Sequence, residues 1–134
     1  MDRIRNRFIQ DVVVCGLIGW CSECAWTGLH AIGKRKDRRL ICHTSLWMFP
    51  IYGMAALMRP ISKKLERVNV LLRGLIYMAG IFGTEYVTGR LLQKHQACPW
   101  DYSKARFNVR GVIRLDYAPI WFVLGLIYER ILRK

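Results

Sequence analysis

Four apolar segments, each bordered by clusters of lysine and arginine, follow one another along the chain. They cover residues 12–32, 40–58, 75–92 and 112–132. A helix needs roughly 20 apolar residues to cross about 30 Å of hydrocarbon, and each segment comes close to that length. The pattern therefore predicts an all-α integral membrane bundle of four transmembrane helices. Residues 1–134 are expected to form a single multi-pass membrane domain.

Charge and composition together narrow the class of protein. Lys and Arg number 22 against 9 acidic residues, a net charge of +13, while 53% of the residues are hydrophobic. The hydrophobic share excludes a disordered chain. The cations divide eleven to eleven between the two sides that four spans would create. They therefore do not decide the orientation in the membrane. Since they form no single basic face either, we expect the lipid bilayer as a partner and no nucleic acid.

Two carboxylates within the apolar segments are the leading candidates for function. Glu23 lies near the middle of the first expected span and Glu85 lies in the third. A charge at mid-bilayer costs about 2.5–3.5 kcal/mol on insertion scales, so such a residue needs an internal partner or a function. Either the two line a polar cavity that binds a cation, a proton or a cationic substrate group, or they hold helices together by ion pairs. The candidate partners for such ion pairs are Arg73, Arg114 and His30.

The connector of residues 93–111 adds further candidate binding residues. Trp100, Asp101 and Tyr102 form a cluster of aromatic and acidic side chains in a loop, where such residues often bind a ligand. Pro99 restricts the backbone before it, so this loop is expected to be ordered and to fold back on the bundle. Asp116 opens the fourth expected span and completes the candidate set.

Several chemistries are missing from the sequence. The five cysteines are scattered, and Cys21 and Cys24 are expected to be buried structural thiols. There is no phosphate-binding loop and no nucleophile elbow, and the three histidines lack the spacing of a metal site. We therefore expect no metal and no cofactor, and enzymatic activity is left open, with a non-enzymatic role favoured.

A weak internal repeat links the two halves of the chain. Glu23-Cys-Ala-Trp-Thr-Gly28 resembles Glu85-Tyr-Val-Thr-Gly89, and Pro50-Ile-Tyr52 resembles Pro119-Ile-Trp121. Repeats of two spans each would be parallel, which predicts Glu23 and Glu85 at matching depths.

The same motifs carry a resemblance to a known membrane family. Gly19-Trp-Cys-Ser-Glu23, Glu85-Tyr-Val-Thr-Gly89 and Trp100-Asp-Tyr-Ser103 followed by Phe107-Asn108 are similar to the ABC-transporter permease type IV (CmpB-like) family. Thr44-Ser-Leu-Trp47 and Asp116-Tyr117 resemble its transmembrane protein 229 branch. The resemblance covers residues 16–130 and implies a small multi-pass protein of the cell membrane.

The resemblance implies a permease-like or transport-associated component with an intramembrane carboxylate site. Without a phosphate loop of its own, such a component would need a separate ATPase subunit. Four short spans make a thin wall for a pathway, so a homo-oligomer is also expected. Two alternatives stay open: a small intramembrane enzyme acting on a lipid-type substrate, and a scaffold or accessory subunit.

Overall fold

A computed structural model describes the backbone of residues 1–134 and every side chain except that of Arg35. The chain is mostly helical, as predicted. It divides into two compact units, the N-terminal unit Met1–Ala56 and the C-terminal unit Leu57–Lys134. The helices and strands, in chain order, are α1 (Asp2–Arg35), α2 (Met48–Gly53), α3 (Met58–Lys64), α4 (Val70–Lys94), β1 (Asn108–Val109), β2 (Ile113–Arg114) and α5 (Ala118–Arg133). Two 3₁₀ turns cover Met54–Leu57 and Leu115–Tyr117.

The N-terminal unit consists of the 34-residue helix α1 and a segment that returns along it. Lys36 adopts a left-handed conformation (φ 50°), and its N–H bonds back to the last turn, which ends α1. The chain then runs through residues 38–45 without helix or strand before α2 begins at Met48. The second expected span, residues 40–58, is therefore not one continuous helix.

Pro50 explains where α2 begins. Proline has no N–H and clashes with the carbonyl of the residue four positions earlier when it lies in a helix interior, but it fits in the first turn. The helix starts at Met48, so Pro50 lies in that turn and introduces no kink. Residues 40–47 of the second expected span are not helical, so Pro50 has no long helix to bend.

The C-terminal unit is built on α4 and α5. Asn69 caps α4, since its side chain accepts a hydrogen bond from the N–H of Leu71 at 2.8 Å. Pro119 lies in the first turn of α5, which has 16 residues and begins at Ala118. The fourth expected span, residues 112–132, therefore starts several residues too early.

A short β-hairpin in the connector between α4 and α5 departs from the all-α prediction. Strands β1 and β2 pair antiparallel, Asn108 with Arg114 and Val109 with Ile113. The turn between them has positive φ at both central residues, 52° at Arg110 and 73° at Gly111. The N–H of Val112 closes this turn on the carbonyl of Val109 at 3.1 Å. Two central residues with positive φ define the type I′ turn, whose twist matches that of the strands.

Two helices are long and apolar enough to cross a membrane: residues Asp2–Lys34 of α1 and Val70–Lys94, the whole of α4. They contain the first and third expected spans. Within the described part of the chain, α2, α3 and α5 do not meet that test of length and composition.

Candidate functional site: two carboxylate centres

Glu23 is the centre of a polar contact within the N-terminal unit. Its carboxylate accepts hydrogen bonds from the side chains of Tyr52, on α2, and Thr44, in the segment before α2. Gly19 lies one turn before Glu23, and any Cβ there would overlap the Tyr52 ring. The glycine therefore lets the Tyr52 side chain approach α1 closely, and its hydroxyl reaches the carboxylate. We call Glu23, Thr44 and Tyr52 the N-terminal carboxylate centre.

The segment that supplies Thr44 is tied to α1 on both sides of Glu23. One turn after Glu23, the N–H of His43 donates to the hydroxyl of Thr27 at 2.9 Å. One turn before Glu23, the indole N–H of Trp20 donates to the carbonyl of Ser45 at 2.9 Å. A non-helical segment and the short helix α2, rather than a second long apolar helix, therefore cover the carboxylate.

Glu85 has a comparable setting within the C-terminal unit. The hydroxyl of Tyr102, in the connector after α4, donates to its carboxylate at 3.5 Å. Further along α4, a Cβ at Gly89 would lie 2.8 Å from Val112 and 3.0 Å from Trp100, so the connector approaches the helix closely here. Again a non-helical segment covers a carboxylate on a long apolar helix. We call Glu85 and Tyr102 the C-terminal carboxylate centre.

The remaining predicted residues differ in what they do. The Trp100 indole donates to the carbonyl of Val112 at 2.8 Å and so joins the connector to the hairpin. Asp101 is exposed and accepts a hydrogen bond from the N–H of Ser103 at 2.9 Å. That bond holds the pKa of the Asp101 carboxyl below its ordinary value. These two residues order the loop that presents Tyr102, and the bond of Asp101 to Ser103 lies within that loop.

Asp116 holds a cation against aromatic rings beside the C-terminal carboxylate centre. Its carboxylate pairs with Arg114 at 2.7 Å. The guanidinium carbon of Arg114 lies 4.5 Å from the ring centroid of Tyr117 and 5.8 Å from that of Tyr102. Tyr117 in turn meets Trp121 edge to face, with ring centroids 5.9 Å apart. The Nε1 of Trp121 is buried and makes no hydrogen bond with the residues that the structure describes.

We expect this arrangement to depend on pH through Asp116. The bond from Arg114 keeps the pKa of Asp116 below its ordinary value, so the ion pair contributes fully above that value and is lost as the pH falls through the lowered pKa. Acid should therefore release Arg114 and change the near-UV circular dichroism of the tyrosines. At neutral pH, Asp116→Asn should already give the circular dichroism signal that the wild type gives in acid. Asp101→Asn should show the same change of signal with pH as the wild type. Equal titrations in wild type and Asp116→Asn would contradict this.

Neither arginine proposed as a structural partner binds the two carboxylates in the described contacts. Arg114 pairs with Asp116, and Arg73 pairs with Glu129 at 2.9 Å. Glu129 is 5% exposed and also accepts a hydrogen bond from Tyr77 at 2.7 Å. Sequence reasoning missed this network because the partners of Glu129, Arg73 and Tyr77, lie on α4, 56 and 52 positions away in the sequence. Its spacing on one helical face with Gly125 and Leu132 was the available signal.

Matching contacts support the internal repeat. Val12 precedes Glu23 by eleven positions, as Gly74 precedes Glu85. Val12 packs against Gly53, and Gly74 packs against Phe122, where Gly53 and Phe122 follow their prolines by three positions. In the N-terminal unit the long helix carries the larger residue of the pair, Val12, and in the C-terminal unit it carries the glycine, Gly74. Each unit therefore closes its helix pair at an equivalent position.

Comparison with known protein families gives a match that covers most of the chain. A family model described as "Putative ABC-transporter type IV" matches residues 12–134, which include both carboxylate centres. No solved structure matches the chain. Together with two helices of membrane-spanning length, the match indicates a membrane protein associated with transport. The chain therefore belongs to the type IV family of ABC-transporter components.

Proposed function

We propose that the chain is a permease-like, multi-pass component of a transporter, in which Glu23 and Glu85 each line a polar intramembrane site, one in each unit. Such a site would bind a cation, a proton or the cationic group of a substrate. The observation that carries the proposal is shared by the two units. In each, a non-helical segment lies over a carboxylate on a long apolar helix and donates a hydrogen bond to it.

Backbone chemistry links that observation to a cavity. Non-helical backbone at membrane depth is tolerated only where protein buries it or where it lines a water-filled space. Residues 41–44 lie beside Glu23 and are exposed. Because hydrocarbon cannot satisfy their peptide groups, water in a cavity is the setting that fits this segment. The same water would keep Glu23 able to ionise.

The hydrogen-bond donors suit a carboxylate that exchanges partners. Tyrosine and threonine hydroxyls both donate and accept, so Tyr52 and Thr44 can stabilise Glu23 with or without a bound cation. A fixed arginine would instead compete with the ligand for the carboxylate, and Arg114, which lies beside the C-terminal centre, is paired with Asp116. The buried indole N–H of Trp121 offers one further donor in that unit.

The wider assembly follows from the same reasoning. We propose four membrane passes: α1, the α2–α3 region, α4 and α5. We also propose a location in the cell membrane. A bundle this small would form its pathway as a homo-oligomer. The chain has no phosphate-binding loop, so ATP hydrolysis would come from a separate subunit.

Native mass spectrometry of gently solubilised protein tests the carboxylate site. We expect the wild type to retain a small-molecule ligand or an ATPase subunit, and the Glu23→Gln/Glu85→Gln variant to lose it while keeping its oligomeric state and helicity. Glutamine keeps the shape and one acceptor oxygen, so packing is preserved. Glu66→Gln, which changes an exposed carboxylate, is the matched control and should bind as wild type does.

The opposite result is equally clear. A wild type without ligand, together with a variant whose oligomer dissociates, would make the two carboxylates structural and favour the scaffold interpretation. Turnover of a lipid-type substrate that the variant loses, with binding retained, would favour the enzyme.

A further inference from the structure

Two thiols face each other where the non-helical segment crosses α1. Cys24, on α1, shares a side-chain hydrogen bond with Cys42 in the segment. The C-x-x-C spacing in the sequence would instead pair Cys24 with Cys21, three residues away on the same helix. The expectation of buried thiols is also wrong, since Cys21 and Cys42 are exposed and Cys24 is half-buried.

The surrounding backbone holds Cys42 in place over α1. A Cβ at Gly28, one turn after Cys24, would lie 3.0 Å from the carbonyl oxygen of Leu40 and 3.6 Å from the Cβ of Cys42. The residue after Cys42 is fixed as well, because His43 and Thr27 exchange hydrogen bonds at 2.9 and 3.2 Å. The approach of the two thiols is thus set by contacts on both sides of Cys42, not by a free loop.

We propose that Cys24 and Cys42 form a reversible disulfide that fastens the segment carrying Thr44 to the helix carrying Glu23. The oxidant would be a small-molecule disulfide such as oxidised glutathione. The disulfide of the oxidant accepts the two electrons that the two protein thiols lose. The reaction therefore needs no metal or other cofactor. The bond itself is independent of the proposed transport function.

Thiol–disulfide exchange balances in two steps. The exposed Cys42 thiol loses its proton to solvent, and the thiolate attacks one sulfur of the oxidant, which releases one glutathione thiolate. The Cys24 thiolate then attacks the Cys42 sulfur of the mixed disulfide and releases the second. The two protein thiols together lose two electrons and two protons, and one oxidant disulfide is reduced to two thiols.

The test uses the full chain in mild detergent, reduced and then exposed to oxidised glutathione. Remaining thiols are alkylated and the digest is analysed by mass spectrometry. We expect a Cys24–Cys42 linked peptide, the loss of two alkylatable thiols, and full recovery after dithiothreitol. Cys24→Ser and Cys42→Ser should each abolish the link, whereas Cys21→Ser and Cys98→Ser should retain it.

A second readout follows the segment itself. Hydrogen exchange of amides 40–45 should slow on oxidation and recover on reduction in the wild type. The Glu23→Gln/Glu85→Gln variant should form the same link, so failure of this proposal is distinguishable from failure of the proposed function. Complete alkylation of all five cysteines, only glutathione adducts, or a Cys21–Cys24 link would overturn it.

Discussion

Replacing Glu129 by alanine should lower the free energy of unfolding by about 3–5 kcal/mol, the usual cost of removing one partner from a buried ion pair. The side chains of Arg73 and Glu129 are 16% and 7% exposed, and their charged groups lie 2.9 Å apart. Arg133 adds a weaker contact at 3.4 Å. Without Glu129, the guanidinium of Arg73 stays largely desolvated with no carboxylate opposite it. Thermal or denaturant unfolding in detergent, followed by circular dichroism, measures the loss.

Two companion variants show that the effect belongs to the network. Tyr77→Phe removes one hydrogen bond to the carboxylate and should cost about 1.5–3 kcal/mol. Glu66→Ala removes an exposed acid from the same unit and should change stability by less than about 0.5 kcal/mol. If Glu129→Ala were as mild as Glu66→Ala, the buried ion pair would not be a main source of stability in the C-terminal unit.

The second large effect is expected at Gly19. A methyl group there would overlap the ring of Tyr52, so Gly19→Ala should displace the tyrosine from α1 and break its hydrogen bond to Glu23. Overpacking of this kind typically costs about 1–3 kcal/mol. Trp20 packs against Phe49 with ring centroids 4.8 Å apart, so its fluorescence should report the displaced helix. Unfolding measurements give the energetic cost.

Gly33→Ala is the matched control on the same helix. No described atom lies within 4 Å of a Cβ at Gly33, so alanine should only improve helix propensity, by up to about 1 kcal/mol. The difference in sign between the two substitutions isolates the tyrosine contact. A stabilising Gly19→Ala with unchanged Trp20 fluorescence would show that Tyr52 does not need the glycine.

The sequence predicts the long helices better than the segments between them. Residues 12–32 and 75–92 lie inside α1 and α4 because long apolar runs between charged clusters leave few alternatives to helix. Residues 40–47 are just as apolar, yet their structure depends on hydrogen bonds to Thr27 and Trp20, which lie far away in sequence. The hairpin has two-residue strands, too short for a periodic pattern, and only Gly111 marks its turn.

The candidate site shows the same division. The presence of Glu23 and Glu85 on the two longest apolar helices can be read from the sequence, and so can the order in the Trp100–Tyr102 loop. Their partners cannot, because Tyr52 and Tyr102 reach the carboxylates through backbone geometry that the pattern does not encode. The pairing of Cys24 with Cys42 is hidden for the same reason, since the nearer Cys21 satisfies the motif.

The length of α1 has a consequence for how deeply Glu23 is immersed. Its 34 residues rise about 50 Å at 1.5 Å per residue, some 20 Å more than the hydrocarbon thickness. We expect the part of α1 that extends beyond the hydrocarbon to be its first turns. There, Arg3, Arg5 and Arg7 would lie among phosphate headgroups. Each basic residue near an anionic surface contributes about 1 kcal/mol of attraction. These arginines would then fix the position of α1 along the membrane normal. The lipid composition of that leaflet would therefore change the membrane depth of the Glu23 carboxylate, about five turns away.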